Sequence, residues 1–210
     1  MLTLYDCSSA PSPRRTRIFL AEKGVKYECL QVDLGKGEQM KDEFAAINPR
    51  RTVPVLVTDD GKSLTENLAI AYYIDQLHPE PPLMGTDAFS RATVLEWNAR
   101  IEFEGLHAIA DILRNTSPHM KDRAMTGRKN ISQIEELADR GRVRIETFWE
   151  DLDKRLQTMP FVTGDDYSLA DITAMVCVDF ARWVKASPAE EFKALHSWHN
   201  KVSKRPSAQA

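Results

Sequence analysis

Three short stretches of this 210-residue chain carry residue types at spacings that could hold an anionic or peptide-like ligand. Ser12-Pro13 precedes an amphipathic run and is the pair favoured at the cap and first position of a helix. A hydroxyl there, beside the positive end of the helix dipole, either caps the helix or holds a thiolate or other anion. Val53-Pro54 lies between a polar loop and a strand. The proline is either a plain edge-strand residue or a cis bond that leaves the Val53 backbone open to an extended peptide. Thr65-Glu66-Asn67 opens a helix, where acidic and amide groups complement the dipole or, with the free N–H groups, take the amine and carboxylate of an amino-acid-like ligand. A fourth stretch, Ser168-Leu169-Ala170-Asp171, is a capping box with Tyr167 and Ile172 placed as a hydrophobic staple, and it reads as structural.

These stations need elements to position them. Residues 1–84 alternate short β-like runs with helical ones, the pattern of a small α/β domain. Residues 2–5 read as a strand, 13–23 as a helix stopped by Gly24, and 26–32 as a second strand. A short helix over 39–47 follows. Val53 to Val57 and Lys62 to Leu64 then flank an Asp59-Asp60-Gly61 turn between antiparallel strands, and residues 66–77 form a helix. The cluster His78-Pro79-Glu80-Pro81-Pro82 suits neither a helix nor a central strand and is a natural linker. Beyond it the rhythm is helical, with long helices over 89–113, 131–156 and 169–184. The expected organisation is a domain over 1–80, a linker over 81–87 and an all-helical domain over 88–210.

Composition narrows the function. With 42% apolar and 8% aromatic residues the chain can fill a hydrophobic core. Lys and Arg total 28 against 31 Asp and Glu, a net charge of −3, so the basic excess expected of a nucleic-acid binder is missing. No apolar run approaches the roughly 20 residues that span a bilayer, and the start lacks a basic segment followed by an apolar one, so a cytoplasmic protein is expected. Cys7, Cys29 and Cys177 are odd in number and show no C-x-x-C spacing, which points to reduced thiols with neither a disulfide framework nor a metal site. Cys7 and Cys29 fall in predicted strands and read as small core residues.

Taken in order, the β-α-β unit, Ser-Pro at the first helix, the Val-Pro loop, the hairpin, Glu-Asn at the third helix, the proline linker and the Ser-Leu-Ala-Asp box resemble the cytosolic glutathione transferase family. The resemblance extends over nearly the whole chain, to Trp198 and Arg205-Pro206-Ser207. It implies a thioredoxin-like α/β N-terminal domain that binds glutathione as co-substrate, an all-α C-terminal domain that lines a pocket for the electrophile, and a homodimer. Gln39 and the run Asn48-Pro49-Arg50-Arg51-Thr52-Val53-Pro54 look most like the bacterial nu class and its Ure2-like relatives. In those proteins the residue matching Gln39 reaches the glycyl carboxylate, the one matching Val53, ahead of Pro54, pairs its backbone with the cysteinyl unit, and a Glu-Ser pair, here Glu66-Asn67, takes the γ-glutamyl end. Arg50 or Arg51 could assist Gln39, since Thr52 stands where many relatives carry lysine or glutamine.

The usual catalytic serine of theta- and zeta-like relatives falls on Ala10, which has no hydroxyl to donate. Ser12 is then the first candidate for activating the thiol, with Ser8 and Ser9 behind it. On the helix over 89–113, Arg100, Phe103, Glu104 and His107 share a surface by their spacing. Arg100, Phe103 and His107 form a candidate second-substrate pocket, with no catalytic role for His107. The leading expectation is a transferase adding the glutathione thiolate to small hydrophobic electrophiles. The alternatives are glutathione-dependent reduction of peroxides or disulfides, and a non-catalytic interaction module.

Overall fold

The computed structural model describes residues 1–210. The chain divides into two compact units: Met1–Pro81 with Thr126–Lys129 and Ala210, and Pro82–Met125 with Asn130–Gln209. Four residues of the helical stretch, 126–129, therefore group with the first unit.

The first unit is built on a four-stranded mixed sheet of order β2-β1-β3-β4. Its strands are β1 (Thr3–Asp6), β2 (Glu28–Gln31), β3 (Val55–Val57) and β4 (Ser63–Leu64). β1 runs parallel to β2, with Leu4 opposite Cys29, and antiparallel to β3, with Leu4 opposite Leu56. Period-two alternation decides which face each side chain serves. Leu4 is fully buried, and α1 (Pro11–Glu22) and α3 (Asn67–Leu77), which pack on each other, bury Ile18, Phe19 and Leu20, and Ile70, Ala71 and Ile74. Tyr5 points the other way, to a cluster of Val32, Phe44 and Val55 that includes α2 (Asp42–Ile47), and meets the Phe44 ring edge-on at 6.1 Å.

Three local expectations change. The helix expected over 39–47 is split at Lys41, whose extended backbone (φ −74°, ψ 154°) separates a 3₁₀ turn, Glu38–Met40, from α2. α1 begins at Pro11 with Ala10 as its cap, so Ser12 lies inside the first turn and does not cap it. The physical reason is that the first-turn N–H groups have no partner in the helix, so both Pro11 and Pro13 fit there, and the Ala10 N–H already closes a turn onto the Cys7 carbonyl at 2.9 Å. Cys29 is exposed, because β2 is an edge strand whose four residues all face solvent.

A buried ammonium holds the end of this unit. Lys23, just past α1, places Nζ 2.6 Å from Asp75 Oδ1 and donates to the carbonyls of His78 (2.8 Å), Pro79 (3.2 Å) and Pro81 (2.5 Å). The Lys23 side chain is fully buried, which a charge tolerates only when paired and hydrogen-bonded in this way.

The second unit is helical: α4 (Ala88–Arg100), a π-helical segment Ile101–Leu106, α5 (His107–Thr116), α6 (Glu135–Leu156), α7 (Leu169–Ala181) and α8 (Lys193–Val202). The expected helix over 89–113 thus contains a register change, marked by the His107 N–H donating to the Glu102 carbonyl five residues back. Gly105 in this segment makes room: a Cβ there would stand 2.7 Å from Cys177 Sγ. α6 starts at Glu135, since Ile131 is taken by a bridge to Arg123, and the last turn of the expected 169–184 helix is 3₁₀ (Arg182–Val184).

α7 is buried almost throughout, and the capping box sets its start. The Asp171 carboxylate accepts from Ser168 N–H (3.0 Å) and Oγ (3.1 Å), Val162 N–H (3.0 Å) and Trp198 Nε1 (2.9 Å). Burial nonetheless outweighs these bonds and raises its pKa to about 6.

Candidate functional site

The turn between β1 and α1 is fixed from beneath by a buried charge. Asp6 is 1% exposed; its Oδ1 lies 2.6 Å from Arg17 Nη1 and its Oδ2 accepts from Gln31 Nε2 at 2.6 Å. Both partners also grip Ser8: Arg17 Nη2 donates to its carbonyl (3.1 Å), and its N–H donates to Gln31 Oε1 (2.9 Å). Ser8 and Ser9 are thereby held at the surface. The exposed Cys29 adjoins this network, but desolvation, the largest influence on it, raises its thiol pKa, so it is no ready nucleophile.

Ser12 follows. Pro11 and Pro13 have no N–H, and the Arg14 N–H already points back to the Ala10 carbonyl at 3.4 Å. The one N–H left facing out of the first turn of α1 is that of Ser12. Its hydroxyl is engaged across the unit with Asn67, the first residue of α3. One placement of the Asn67 amide satisfies both of its ends: Oδ1 accepts from Ser12 Oγ (2.8 Å) and Arg15 Nη2 (3.0 Å), and Nδ2 donates to the Ser12 carbonyl and Thr16 Oγ1 (both 2.8 Å). The Asn67 side chain is therefore turned inward, and α3 offers a ligand its first-turn N–H groups.

Val53-Pro54 is a cis peptide, and Val53 precedes the ladder, which begins at Val55. The loop before it is organised by Asn48, 1% exposed, a residue named in the motif but assigned no role by sequence. Asn48 Nδ2 donates to the Thr52 carbonyl (2.8 Å) and Oγ1 (3.1 Å), while Oδ1 accepts from the Arg50 N–H (3.0 Å). Arg51, at φ 58°, directs its guanidinium to the Met40 carbonyl and Asp42. Arg50 instead reaches Glu66, the cap residue of α3, at 3.6 Å in an exposed pair.

Ser12 and Asn67 are thus in direct contact, and Glu66 is linked through Arg50 to the loop that carries Val53 and Pro54. Gln39 is 4% exposed, and its Oε1 has no hydrogen-bond partner. The residues missed, Asp6, Arg17, Gln31 and Asn48, act beneath the surface; the polar Asp6 ending an apolar strand was the signal for the first of them.

In the helical unit, Phe103 and His107 line a concavity of about 340 Å³ with Asp111, Arg140 and Arg144. Arg144 stacks on the Phe103 ring at 4.5 Å, donates to the Phe103 carbonyl within the π-helical segment, and lies 3.7 Å from Asp111. Arg100 is not part of it. Its guanidinium bonds Asp151 (2.8 Å), lies 3.5 Å from Glu104 and stacks on Trp97 at 4.6 Å. No group of three or more His, Cys, Asp or Glu side chains is placed to hold a metal ion, and no helix is long and apolar enough to cross a membrane.

Residues 1–76 match the family model for the glutathione S-transferase N-terminal domain, and residues 115–206 that for its C-terminal domain. The chain is 34% identical to glutathione S-transferase 2 of Saccharomyces cerevisiae over 99% of its length and 88% of that protein. It is 28% identical to the disulfide-bond oxidoreductase YfcG of Escherichia coli, over 97% and 92% of the two chains. Among solved structures, Gtt2 from Saccharomyces cerevisiae superposes with a TM-score of 0.90 at 34% identity, covering 99% of this chain and 98% of the other.

Proposed function

This chain belongs to the glutathione S-transferase family and is a transferase with glutathione as co-substrate; from that premise we propose that it holds the tripeptide along Val53 and presents its sulfur to the first turn of α1. The γ-glutamyl end meets Glu66 and the N–H groups at the start of α3, the cysteinyl backbone pairs with Val53 beside Pro54, and the sulfur faces Ser12. A free thiol ionises near pH 8.5, and the thiolate is the nucleophile. The observation that carries the reading is the single outward N–H of the α1 first turn, at Ser12, on a helix end whose dipole favours an anion. The Ser12 hydroxyl, whose one proton Asn67 Oδ1 accepts, assists by exchanging that acceptor for the sulfur. The thiolate attacks a small hydrophobic electrophile, a carbon–sulfur bond forms, and the leaving group departs with its electron pair.

The test is calorimetric titration with glutathione, followed by thiolate ultraviolet absorbance against pH. The expected result is binding with thiolate appearing well below pH 8.5. Absence of binding overturns the proposal. A second reading, glutathione-dependent reduction of disulfides or peroxides, is favoured by the likeness to the Escherichia coli disulfide-bond oxidoreductase. It uses the same thiolate, and a disulfide or peroxide assay beside an electrophile assay separates the two.

The concavity with Phe103, His107 and Arg144 is the candidate for second-substrate contacts. We also place the enzyme in the cytoplasm as a homodimer. α3 exposes Tyr72 and Leu77, and α4 exposes Phe89 and Leu95, apolar surface that a second copy would cover. Sedimentation as a concentration-independent monomer would contradict the dimer.

A further inference from the structure

We infer that Asp6 is a positioning residue of the transferase: through Arg17 and Gln31 it fixes the turn before α1, and so the first turn that receives the sulfur; the inference rests on the proposed sulfur site and extends it. β1 ends at Asp6, whose two oxygens are divided between two elements. Oδ1 faces Arg17 Nη1 in α1, and Oδ2 accepts from Gln31 Nε2 at the end of β2, each at 2.6 Å. The far end of each partner returns to Ser8: Arg17 Nη2 donates to its carbonyl (3.1 Å), and Gln31 Oε1 accepts from its N–H (2.9 Å). The Ala10 N–H closes the turn onto the Cys7 carbonyl. Ser12 therefore lies between two anchored points, Ser8 before it and Arg17 after it, and both anchors end on one carboxylate.

A carboxylate is needed here because it only accepts. Facing it, the Gln31 amide must present Nε2, which leaves Oε1 for the Ser8 N–H. An asparagine of the same shape would aim a donor at either Arg17 or Gln31. Against Arg17 the charge-assisted pair is lost. Against Gln31 the amide must turn over and meet the Ser8 N–H with its own NH2 group. Either way a tether to Ser8 is released. Asp6 is buried, and the Ser8 N–H and carbonyl are both engaged within the chain, so the network acts on a ligand only by setting where α1 begins. It includes neither Val53 nor Glu66, proposed to hold the rest of the tripeptide. Its loss should therefore displace the partner of the sulfur while those contacts stay, and a displacement of about 1 Å costs roughly a hundredfold in rate.

The test follows glutathione affinity by calorimetry, thiolate absorbance against pH, and kcat in whichever of the electrophile and disulfide assays the wild type supports. It compares wild type, Asp6→Asn, Gln31→Ala and the exchange variant Asp6→Asn/Gln31→Glu. In the exchange variant the new amide donates to the new carboxylate, which still accepts from the Ser8 N–H. Asp6→Asn should bind glutathione as wild type does, form its thiolate at higher pH and lose kcat by up to roughly a hundredfold. The exchange variant should regain most of both. Gln31→Ala, at an exposed position, removes the Ser8 N–H tether and should shift thiolate formation the same way, and it decides the matter if Asp6→Asn does not fold. Unchanged thiolate formation and kcat in both single variants overturns the inference, as does an exchange variant no better than Asp6→Asn. Affinity and kcat falling in step overturns it too, since that is the mark of a general loss of structure. A wild type that binds glutathione without easing its ionisation overturns the sulfur site itself, and one that binds nothing overturns the tripeptide site.

Discussion

Ser12 Oγ and the side-chain amide of Asn67 stand 2.8 Å apart, joining the first turns of α1 and α3. The two helix ends proposed to receive the sulfur and the γ-glutamyl group are thereby one rigid unit. A change at either position is felt at both.

Ser12→Ala removes the hydroxyl but keeps the N–H. Thiolate formation should survive it, with kcat reduced by less than roughly tenfold, the scale of one modest hydrogen bond. Ser12→Pro removes the last outward N–H at a position where proline is tolerated, and should abolish the lowered thiol pKa while circular dichroism stays unchanged. If the alanine variant loses all activity, the hydroxyl is the activating group.

Asn67→Ala strips partners from Ser12, Arg15 and Thr16 in a buried place. Urea unfolding should report a loss of about 1–3 kcal/mol, and glutathione affinity should fall with it. Unchanged stability would mean that the amide does not join the two helices.

Lys23→Met leaves the Asp75 carboxylate buried without its cation and frees three carbonyls. A loss of about 3–5 kcal/mol is expected, with partial recovery when Asp75→Leu is added. Strictly additive losses in the double variant would rule out coupling between the pair.

Asp171 gives a pH signature. Its carboxyl, raised by burial to about 6, holds a proton in the folded state at pH values where the unfolded chain, near pKa 4, has lost it. Its contribution to stability is full below about pH 4 and is lost as pH rises through about 6, amounting to about 3 kcal/mol. The advantage of wild type over Asp171→Asn should therefore shrink by that order between about pH 4 and 7 in denaturant titrations. A gap that widens with pH would reverse the assigned sign.

The order of elements was legible because each carries a local signature: alternation in β1, the Asp59-Asp60-Gly61 turn, the serine and aspartate that start α7. What escaped depends on distance or register. The π-helical segment adds no break in the apolar pattern of residues 89–113, and only the extra room at Gly105 betrays it. With two prolines able to open α1, the residue-type preference for serine pointed two residues too late. Cys29 was assigned to a core because strand character says nothing about whether a strand is central or at the edge. The candidate site was legible as Ser12, Val53, Pro54, Glu66 and Asn67, yet the Ser12 to Asn67 bond spans 55 residues and no local pattern encodes it. The enclosure of Gln39 and the approach of residues 126–129 likewise depend on tertiary packing.

Residues 78–81, rich in proline and exposed, have the composition of a stretch that proteases cut readily. Cleavage requires the peptide to be drawn out and threaded through an enzyme's groove. One ammonium, Lys23 Nζ, grips three of its carbonyls from inside the fold. Nicking there must wait for α1 to release its lysine, so the survival of this segment under limited digestion reports on the integrity of the whole first unit.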